Sequence, residues 1–216
     1  MATDFDLSQT DRLLTTTRAV RRRLDLTRPV ERDVILDCLR IAIQAPTGGN
    51  RQGWRWLVVD DAETRAGLAR LYRRSFEPYI AARRSELPDE QAEDPVITSS
   101  SYLSDHLHEV PVHVIPIALG RLPENASIAE TASFYGSILP AVWSLQLALR
   151  SRGLGSTLTT LHLVYEQEAR ELLGMPNTVT QVALIPVAYY SGTDFRPAPR
   201  RPIEELTYFD RWRQRT

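Results

Sequence analysis

The sequence has very little cysteine. Cys38 is the only one among 216 residues, which excludes an intramolecular disulfide and any metal site built from several thiolates. Cys38 lies on the apolar face of a predicted helix, where a small core residue is expected rather than a nucleophile. The chain has four histidines. His106 and His108 are two apart and would point in different directions on a helix. We therefore expect no metal centre.

The chain also lacks net charge. With 26 basic and 27 acidic residues, its formal charge is −1 at pH 7. The overall charge does not attract a polyanion, so nucleic acid is not an expected partner. No apolar run approaches the ~20 residues that cross a bilayer, and residues 1–10 lack the apolar segment of a signal peptide. We expect a cytoplasmic protein without a membrane partner, folded as a single domain over residues 1–216.

Hydrophobic periodicity predicts helices alternating with strands. Ser8 is a candidate cap for the first helix. Pro116 predicts an edge strand or a bulge, because proline cannot donate a ladder hydrogen bond. Pro140 predicts a kink or break in a long helix that is apolar almost all round and could face a second subunit. Helices are predicted over 7–17, 31–45, from 61 to beyond 72, 102–108, 129–152 and 166–173, and buried strands over 56–59, 112–119 and 182–188.

Residues 73–101 have a weaker pattern, in which arginines alternate with aromatic residues before an acidic stretch rich in proline. We interpret them as helical excursions outside the core that form a lid or substrate channel; a surface insertion without function is the alternative. Residues 191–216 combine arginine, proline and aromatic side chains and cannot form a core of their own. We expect this C-terminal arm to lie on its own subunit or on a partner.

A loop with many polar groups lies between a predicted helix and a predicted strand at residues 44–56. Pro46 cannot continue the helical ladder, and Gly48 and Gly49 free the backbone to present N–H groups. Thr47 and Asn50 add hydrogen-bonding side chains. Such a loop can hold a planar ligand with polar edges, or it can be an ordinary helix-to-strand turn.

Two other segments carry possible phosphate-binding chemistry. Residues 18–23 are rich in arginine, which is usual for a solvated, salt-bridged face but also suits bidentate recognition of phosphate. Residues 153–160 combine glycines with hydroxyl side chains. This second segment lacks the lysine of a Walker loop and the later glycine of a dinucleotide fingerprint. Alone, it is a weak motif.

Together, four separated segments resemble the nitroreductase-like family of FMN-dependent oxidoreductases. The resemblance spans about residues 15–212 and depends on the order and spacing of the segments. Ala19 stands where serine is usual in the family, and Gly53 where proline is common. The four segments are 17–21, 45–54, 153–160, and 200–203 with 210–212.

The resemblance implies a homodimer of α+β subunits, each with a central mixed, mostly antiparallel sheet flanked by helices. Long helices would form the interface, and the C-terminal arm would reach across the partner. FMN would lie at the interface, so that each site draws on both chains.

The resemblance also assigns residues to FMN. Arg18 and Arg21 would hold its phosphate and pyrimidine side, with the Ala19 backbone beside them, and Arg200 would complete the phosphate clamp. The other subunit would contribute Pro46, Thr47 and Asn50, and the isoalloxazine edge would be lined by Gly155, Leu158, Thr159 and Thr160.

The implied activity is hydride transfer from NADH or NADPH to the flavin and then to a small-molecule acceptor such as a nitroaromatic or a quinone. The two half-reactions would alternate. No catalytic side chain is expected, because the cofactor performs the chemistry while the protein binds and orients. We also find no Ser-His-Asp or paired-carboxylate constellation. Flavin fragmentation, reductive dehalogenation and non-catalytic flavin storage are the alternatives.

Overall fold

The computed structural model describes residues 4–86 and 94–214. These residues fall into two compact units: Thr17–Gly192, and the two chain ends taken together, Met1–Thr16 with Thr193–Thr216. In chain order the helices and strands are α1 (Leu7–Thr16), α2 (Arg32–Ala42), β1 (Trp54–Val59), α3 (Ala62–Ser85), α4 (Pro95–His106), β2 (Val112–Leu119), α5 (Ile128–Gly136), α6 (Leu139–Ser151), β3 (Leu154–Ser156), α7 (Glu166–Leu172), β4 (Val179–Gln181), β5 (Ile185–Tyr189) and α8 (Ile203–Leu206).

The strands of the larger unit form one sheet in the order β1-β2-β5-β3, with β4 also pairing β2. Each of these pairings is antiparallel, and a single-residue parallel bridge joins Ala19 to Ser156. Helices from both halves of the chain pack around this sheet. The predicted α+β class, with a mostly antiparallel sheet flanked by helices, is confirmed.

The predicted edge position of the proline-containing strand is wrong. β2 is an inner strand, with β1 on one side and β4 and β5 on the other. Pro116 lies between the β2 residues that pair with β5 and those that pair with β4. Its carbonyl accepts the Val182 N–H at 2.9 Å. Because N–H and C=O of one residue point the same way in an antiparallel ladder, the missing donor of Pro116 falls in the gap between two partner strands.

The main core lies between the sheet and the helices α2 and α6. Leu145 and Leu149 of α6 and Cys38 of α2 have no solvent-accessible surface, which agrees with a packing role for the cysteine. Burial raises the pKa of the Cys38 thiol, so the nucleophilic thiolate is disfavoured at neutral pH.

The break predicted at Pro140 is confirmed, because the long apolar pattern is two helices, α5 and α6. Pro140 lies in the first turn of α6, where an N–H has no intrahelical acceptor to lose. Among the described residues, Ile128–Ser151 is the one stretch that is long and apolar enough, by length and composition only, to cross a membrane. Core helices meet the same criterion, and much of α6 is core.

Three further details differ from the prediction. β1 is an edge strand, and Trp56, Leu57 and Val58 are only half-buried. Ser8 lies inside α1, and the Asp6 carboxylate accepts the Gln9 N–H at 3.1 Å instead. The longest helix is α3 rather than the pattern at 129–152.

The segment with the weak pattern is largely helical, as expected. α3 continues through Pro78 to Ser85, and α4 begins at Pro95. Phe76 of α3 and Ile97 of α4 are buried, so both helices also contribute packed side chains. The role of this segment as a lid or substrate channel stays a prediction. The acidic stretch between them lies mostly outside the described residues.

Candidate ligand-binding site

Two of the predicted motifs are neighbours in space. The Val20 N–H donates to the Ser156 carbonyl at 2.9 Å, beside the parallel bridge from Ala19 to Ser156. Gly155 is buried against this segment, and a Cβ added to it would lie 2.9 Å from Cβ and Cγ1 of Val20. Glycine therefore allows the arginine-rich segment to approach β3 closely. Its predicted contact with a ligand stays a prediction.

A pocket of about 300 Å³ opens next to these motifs. Its floor is formed by Arg21 and residues 157–161, and its walls by one face of α3 and one face of α4. We call it the α3–α4 groove. The wall residues are Tyr72, Phe76, Tyr79 and Arg83 of α3, and Val96, Ser100 and Leu103 of α4. Spacings of three and four residues place each set on one side of its helix.

The groove combines cations and hydroxyl groups, and none of the described residues that line it carries a carboxylate. Arg21 is half-buried, and its Nη1 lies 3.4 Å from the Ser99 hydroxyl. Tyr72 is 3% exposed. Burial raises the pKa of its phenol, while a hydrogen bond with Thr159 and the charge of Arg21 act in the other direction. The phenol therefore remains protonated at neutral pH and can donate a hydrogen bond into the groove.

The loop that follows α2 has a tightly wound backbone. Gly49, Asn50 and Gln52 have φ values of 58°, 51° and 51°, which is the left-handed region that glycine and asparagine tolerate best. The Gln52 N–H donates to the Thr47 hydroxyl at 3.2 Å, and the Gln52 amide donates to the Asn50 carboxamide oxygen at 3.1 Å. Pro46 is exposed.

The same loop is fastened to the break between α5 and α6. The Gly48 N–H donates to the Ser137 hydroxyl at 3.1 Å, and that hydroxyl donates to the Ser133 carbonyl at 2.7 Å. A second pocket, of about 350 Å³, lies at this junction. Its lining includes Gly48, Gly49, Arg51 and Gly53 of the loop, and Ser133, Phe134, Ser137 and Ile138 of the junction.

The structure thus brings together only part of the predicted site. Arg21, Leu158, Thr159 and Thr160 line the α3–α4 groove. Pro46, Thr47 and Asn50 belong to a loop whose neighbouring glycines line the other pocket. Arg18 and Ala19 are exposed next to Arg21 in the chain. Arg200 belongs to the smaller unit, where it is exposed and donates to the Pro199 carbonyl at 3.1 Å.

Two imidazoles are buried in the larger unit. His162 follows the groove residues 157–161 directly, and His113 belongs to β2; both have no exposed surface. His113 Nε2 lies 2.9 Å from the Leu107 carbonyl. Burial lowers the pKa of each imidazole to about 4. In the part of the chain that the structure describes, no group of three or more His, Cys, Asp or Glu could hold a metal ion.

Sequence reasoning missed the α3 contribution to the groove. The pattern of alternating arginines and aromatic residues after residue 73 did not place Phe76, Tyr79 and Arg83 on one helix face with Tyr72. The spacing was visible in the sequence. This face of α3 lies opposite the loop after β3, which is distant in sequence, so the pairing could be found only from the fold.

The structure is an antiparallel α+β fold with a groove that joins arginine, hydroxyl and aromatic side chains. The chain matches the nitroreductase family over residues 14–189, and it belongs to that family.

Individual known proteins agree with this assignment. Iodotyrosine deiodinase of Thermotoga neapolitana is 28% identical over 192 residues, covering 88% of this chain and 91% of the relative. A crystal structure of iodotyrosine deiodinase bound to FMN and 3-iodo-L-tyrosine superposes with a TM-score of 0.71 at 22% identity, covering 94% and 99% of the two chains. The FMN-dependent nitroreductase NfnB of Mycobacterium smegmatis, in complex with NADPH, gives 0.67 at 22% identity, covering 95% and 100%.

Proposed function

We propose that this protein is an FMN-dependent oxidoreductase that passes a hydride from NADH or NADPH to a small-molecule acceptor such as a nitroaromatic or a quinone. The observation that carries the proposal is the convergence of Arg21, Leu158, Thr159 and Thr160 in one groove. These residues come from two segments that are distant in sequence and joined by the bridge at Ser156. With a quinone, one NAD(P)H and one proton yield the hydroquinone and NAD(P)⁺.

The groove residues fit a flavin ring. An isoalloxazine has a pyrimidine edge with carbonyl and N–H groups, and an apolar edge. Arg21 and the hydroxyls of Thr159 and Thr160 supply polar partners for the first, and Leu158 supplies apolar surface for the second. A volume of about 300 Å³ lies within the range of small-molecule sites. Arg18 is proposed to hold the phosphate, because a guanidinium group binds phosphate bidentately.

FMN, when bound, supplies the site that accepts and donates the hydride. The side chains of this protein would bind and orient. Arg21 would hold the pyrimidine edge of a flavin bound in the groove, and its positive charge would favour an anionic form of the ring by Coulomb attraction. Leu158 and the α3 aromatics would provide apolar surface for the ring. No catalytic side chain is required.

The site is proposed to be shared between two copies of the chain in a homodimer. No residue of α5 is buried, although this helix is apolar, and Ile128 is 90% exposed. On α6, Trp143 is 44% exposed. These surfaces suit burial against a second copy, and Pro46, Thr47 and Asn50 would then serve the partner's flavin. The free, unpaired thiol of Cys38 is compatible with a cytoplasmic location.

The test is spectroscopic. Purified protein should be yellow or take up FMN, and anaerobic NADH or NADPH should bleach the bound flavin. A nitroaromatic or quinone should then restore the colour. A colourless protein that cannot take up FMN would refute the proposal, and so would a flavin that neither nucleotide reduces.

Reductive dehalogenation is a second candidate, because the deiodinase relative matches nearly the whole chain. Release of iodide from 3-iodotyrosine by the reduced protein, measured with an ion-selective electrode, would favour it over nitroreduction. Flavin fragmentation is checked in the same preparation by chromatography of the flavin after aerobic turnover.

A further inference from the structure

The α3 wall of the groove runs from a phenol to a guanidinium. Tyr72 lies beside Thr159 and Arg21, at the floor where the flavin is proposed to bind. Arg83 is the last lining residue of the same helix face. At 1.5 Å per residue, the α-carbons of Tyr72 and Arg83 are separated by about 16 Å along the helix axis. Arg83 therefore stands at the end of the wall remote from the flavin floor.

Arg83 is poorly satisfied where it stands. Its Nε is buried, and no acceptor for it is found in residues 4–86 and 94–214. Its carboxylate neighbour, Asp94 Oδ2, is 3.8 Å from Nη2, which is too far for a hydrogen bond. The other oxygen of Asp94 accepts the Val96 N–H at 2.6 Å, at the start of α4. Among the described residues, Arg83 therefore has an ion-pair neighbour in Asp94 but a guanidinium N–H without a hydrogen-bond acceptor.

Between the two ends the wall is aromatic. The rings of Tyr72 and Phe76 are stacked, with centroids 5.9 Å apart and planes inclined by 15°. Phe76 and Tyr79 follow at 6.4 Å with tilted planes. Val96 and Leu103 contribute apolar surface from α4. A flat aromatic molecule can pack against such a wall.

We propose that the groove takes an aromatic acceptor that carries a carboxylate, and that Arg83 binds this carboxylate. The aromatic body lies along Phe76 and Tyr79, with the reducible group towards the floor. A guanidinium suits this role because its planar fork matches a carboxylate in bidentate geometry. This inference rests on the proposed function, since it assigns the floor of the groove to the flavin.

The test compares acceptors that differ only in charge. The pairs are 4-nitrobenzoate with 4-nitrobenzamide, and the longer 4-nitrocinnamate with 4-nitrocinnamamide. For each pair, the ratio of kcat/KM for the acid to kcat/KM for the amide is measured in the FMN-loaded protein. Arg83→Gln should lower that ratio by about 10- to 100-fold for at least one pair, as for loss of hydrogen bonds to a charged group. Arg83→Lys should give an intermediate ratio.

The matched control is Arg84→Gln. Arg84 is the next residue of α3, is exposed and does not line the groove. The Arg84→Gln substitution removes the same charge from the same turn of α3. Its acid-to-amide ratio should equal that of the unmodified protein. Equal losses in Arg83→Gln and Arg84→Gln would mean general electrostatic attraction and would overturn the inference, as would an unchanged ratio in Arg83→Gln.

A second anion is tested in parallel, because the 2′-phosphate of NADPH could also use Arg83. If Arg83→Gln changes the preference between NADPH and NADH but not the acid-to-amide ratio, the acceptor assignment is wrong. Calorimetric titration of the oxidised, FMN-loaded protein with 4-nitrobenzoate gives a readout without turnover. Its dissociation constant should rise by a similar factor in Arg83→Gln only.

Failure of the proposed function would look different. If the protein bound no FMN, or if neither nucleotide reduced the flavin, even the neutral amides would not react in the unmodified protein. If the amides react normally but the acids have no advantage that depends on Arg83, the oxidoreductase assignment stands and the carboxylate site is refuted.

Discussion

Mild acid should destabilise this protein through its two buried imidazoles. Burial lowers the pKa of His113 and of His162 from an ordinary 6.5 to about 4. Both groups are neutral in the folded state, whereas the unfolded chain takes up protons below pH 6.5. The stability they contribute is therefore fully present above pH 6.5 and is lost as the pH falls towards 4.

The size of the effect follows from the pKa difference. A pKa shift of one unit is worth 1.36 kcal/mol, so the full loss is about 3 kcal/mol for each histidine. Between pH 7 and pH 5 the linkage relation gives about 2 kcal/mol each, or about 4 kcal/mol for both. Carboxylates such as Asp60 and Glu166 have a lowered pKa in the folded protein, so their contribution to the free energy of unfolding is lost only at lower pH. Between pH 6.5 and pH 5 the change in stability therefore comes from the histidines.

The assay is urea unfolding followed by circular dichroism at pH 7, 6 and 5. His162→Gln and His113→Gln should each flatten the pH dependence by about 2 kcal/mol, even where they lower stability at pH 7. His108→Gln is the control, since the His108 side chain is 47% exposed. The reasoning fails if the unmodified protein is equally stable at pH 7 and pH 5. It also fails if His108→Gln flattens the curve as much as His162→Gln.

Three other variants test the loop and the motif contact. Thr47→Ala combined with Asn50→Gly, which keeps the left-handed backbone, should weaken FMN binding about tenfold through lost hydrogen bonds without unfolding the protein; unchanged affinity in a flavin-fluorescence titration would contradict the shared site. Gly155→Ala should lower the free energy of unfolding by about 1–3 kcal/mol, because its Cβ would press on Val20. A Tm equal to that of the unmodified protein would show that the segment moves aside freely. Ser137→Ala should free the Gly48 N–H and lower FMN affinity several-fold, with little change in Tm; equal FMN retention would mean that the loop needs no such anchor.

Local chemistry made much of this fold predictable. Pro140 broke its helix, and Gly153, with φ 76°, ends α6 as a left-handed cap. Pro116 misled for a long-range reason. Proline is unfavourable in a strand only where a partner strand would accept its missing N–H. Whether β4 and β5 leave a gap at that position depends on residues more than sixty positions away. Local sequence cannot report that gap.

The residues of the candidate site also differ in whether local sequence or long-range packing determines them. Arg21, Thr159 and Thr160 were found from motif order, and the groove brings them together. Tyr72 and Arg83 were not assigned, because a helix face acquires a role only from what it meets. The weak periodicity after Arg73 reflects two demands on one helix, since α3 buries Phe76 and Ile80 while it also presents Tyr79 and Arg83 to the groove.

The hydrogen bond from Gly48 to Ser137 has a consequence for the behaviour of the protein in dilute solution. It ties the loop that is proposed to bind FMN to the start of α6, the helix whose exposed Trp143 is proposed to meet a second copy. If association of two copies holds that helix in place, it also holds the loop, and dimer formation and FMN binding are then thermodynamically coupled. Cofactor retention then becomes a function of protein concentration. At constant free FMN, an independent single site keeps the same occupancy on dilution, whereas here the bound fraction should fall as the protein is diluted. The midpoint of that fall should follow the dissociation constant of the dimer measured by sedimentation.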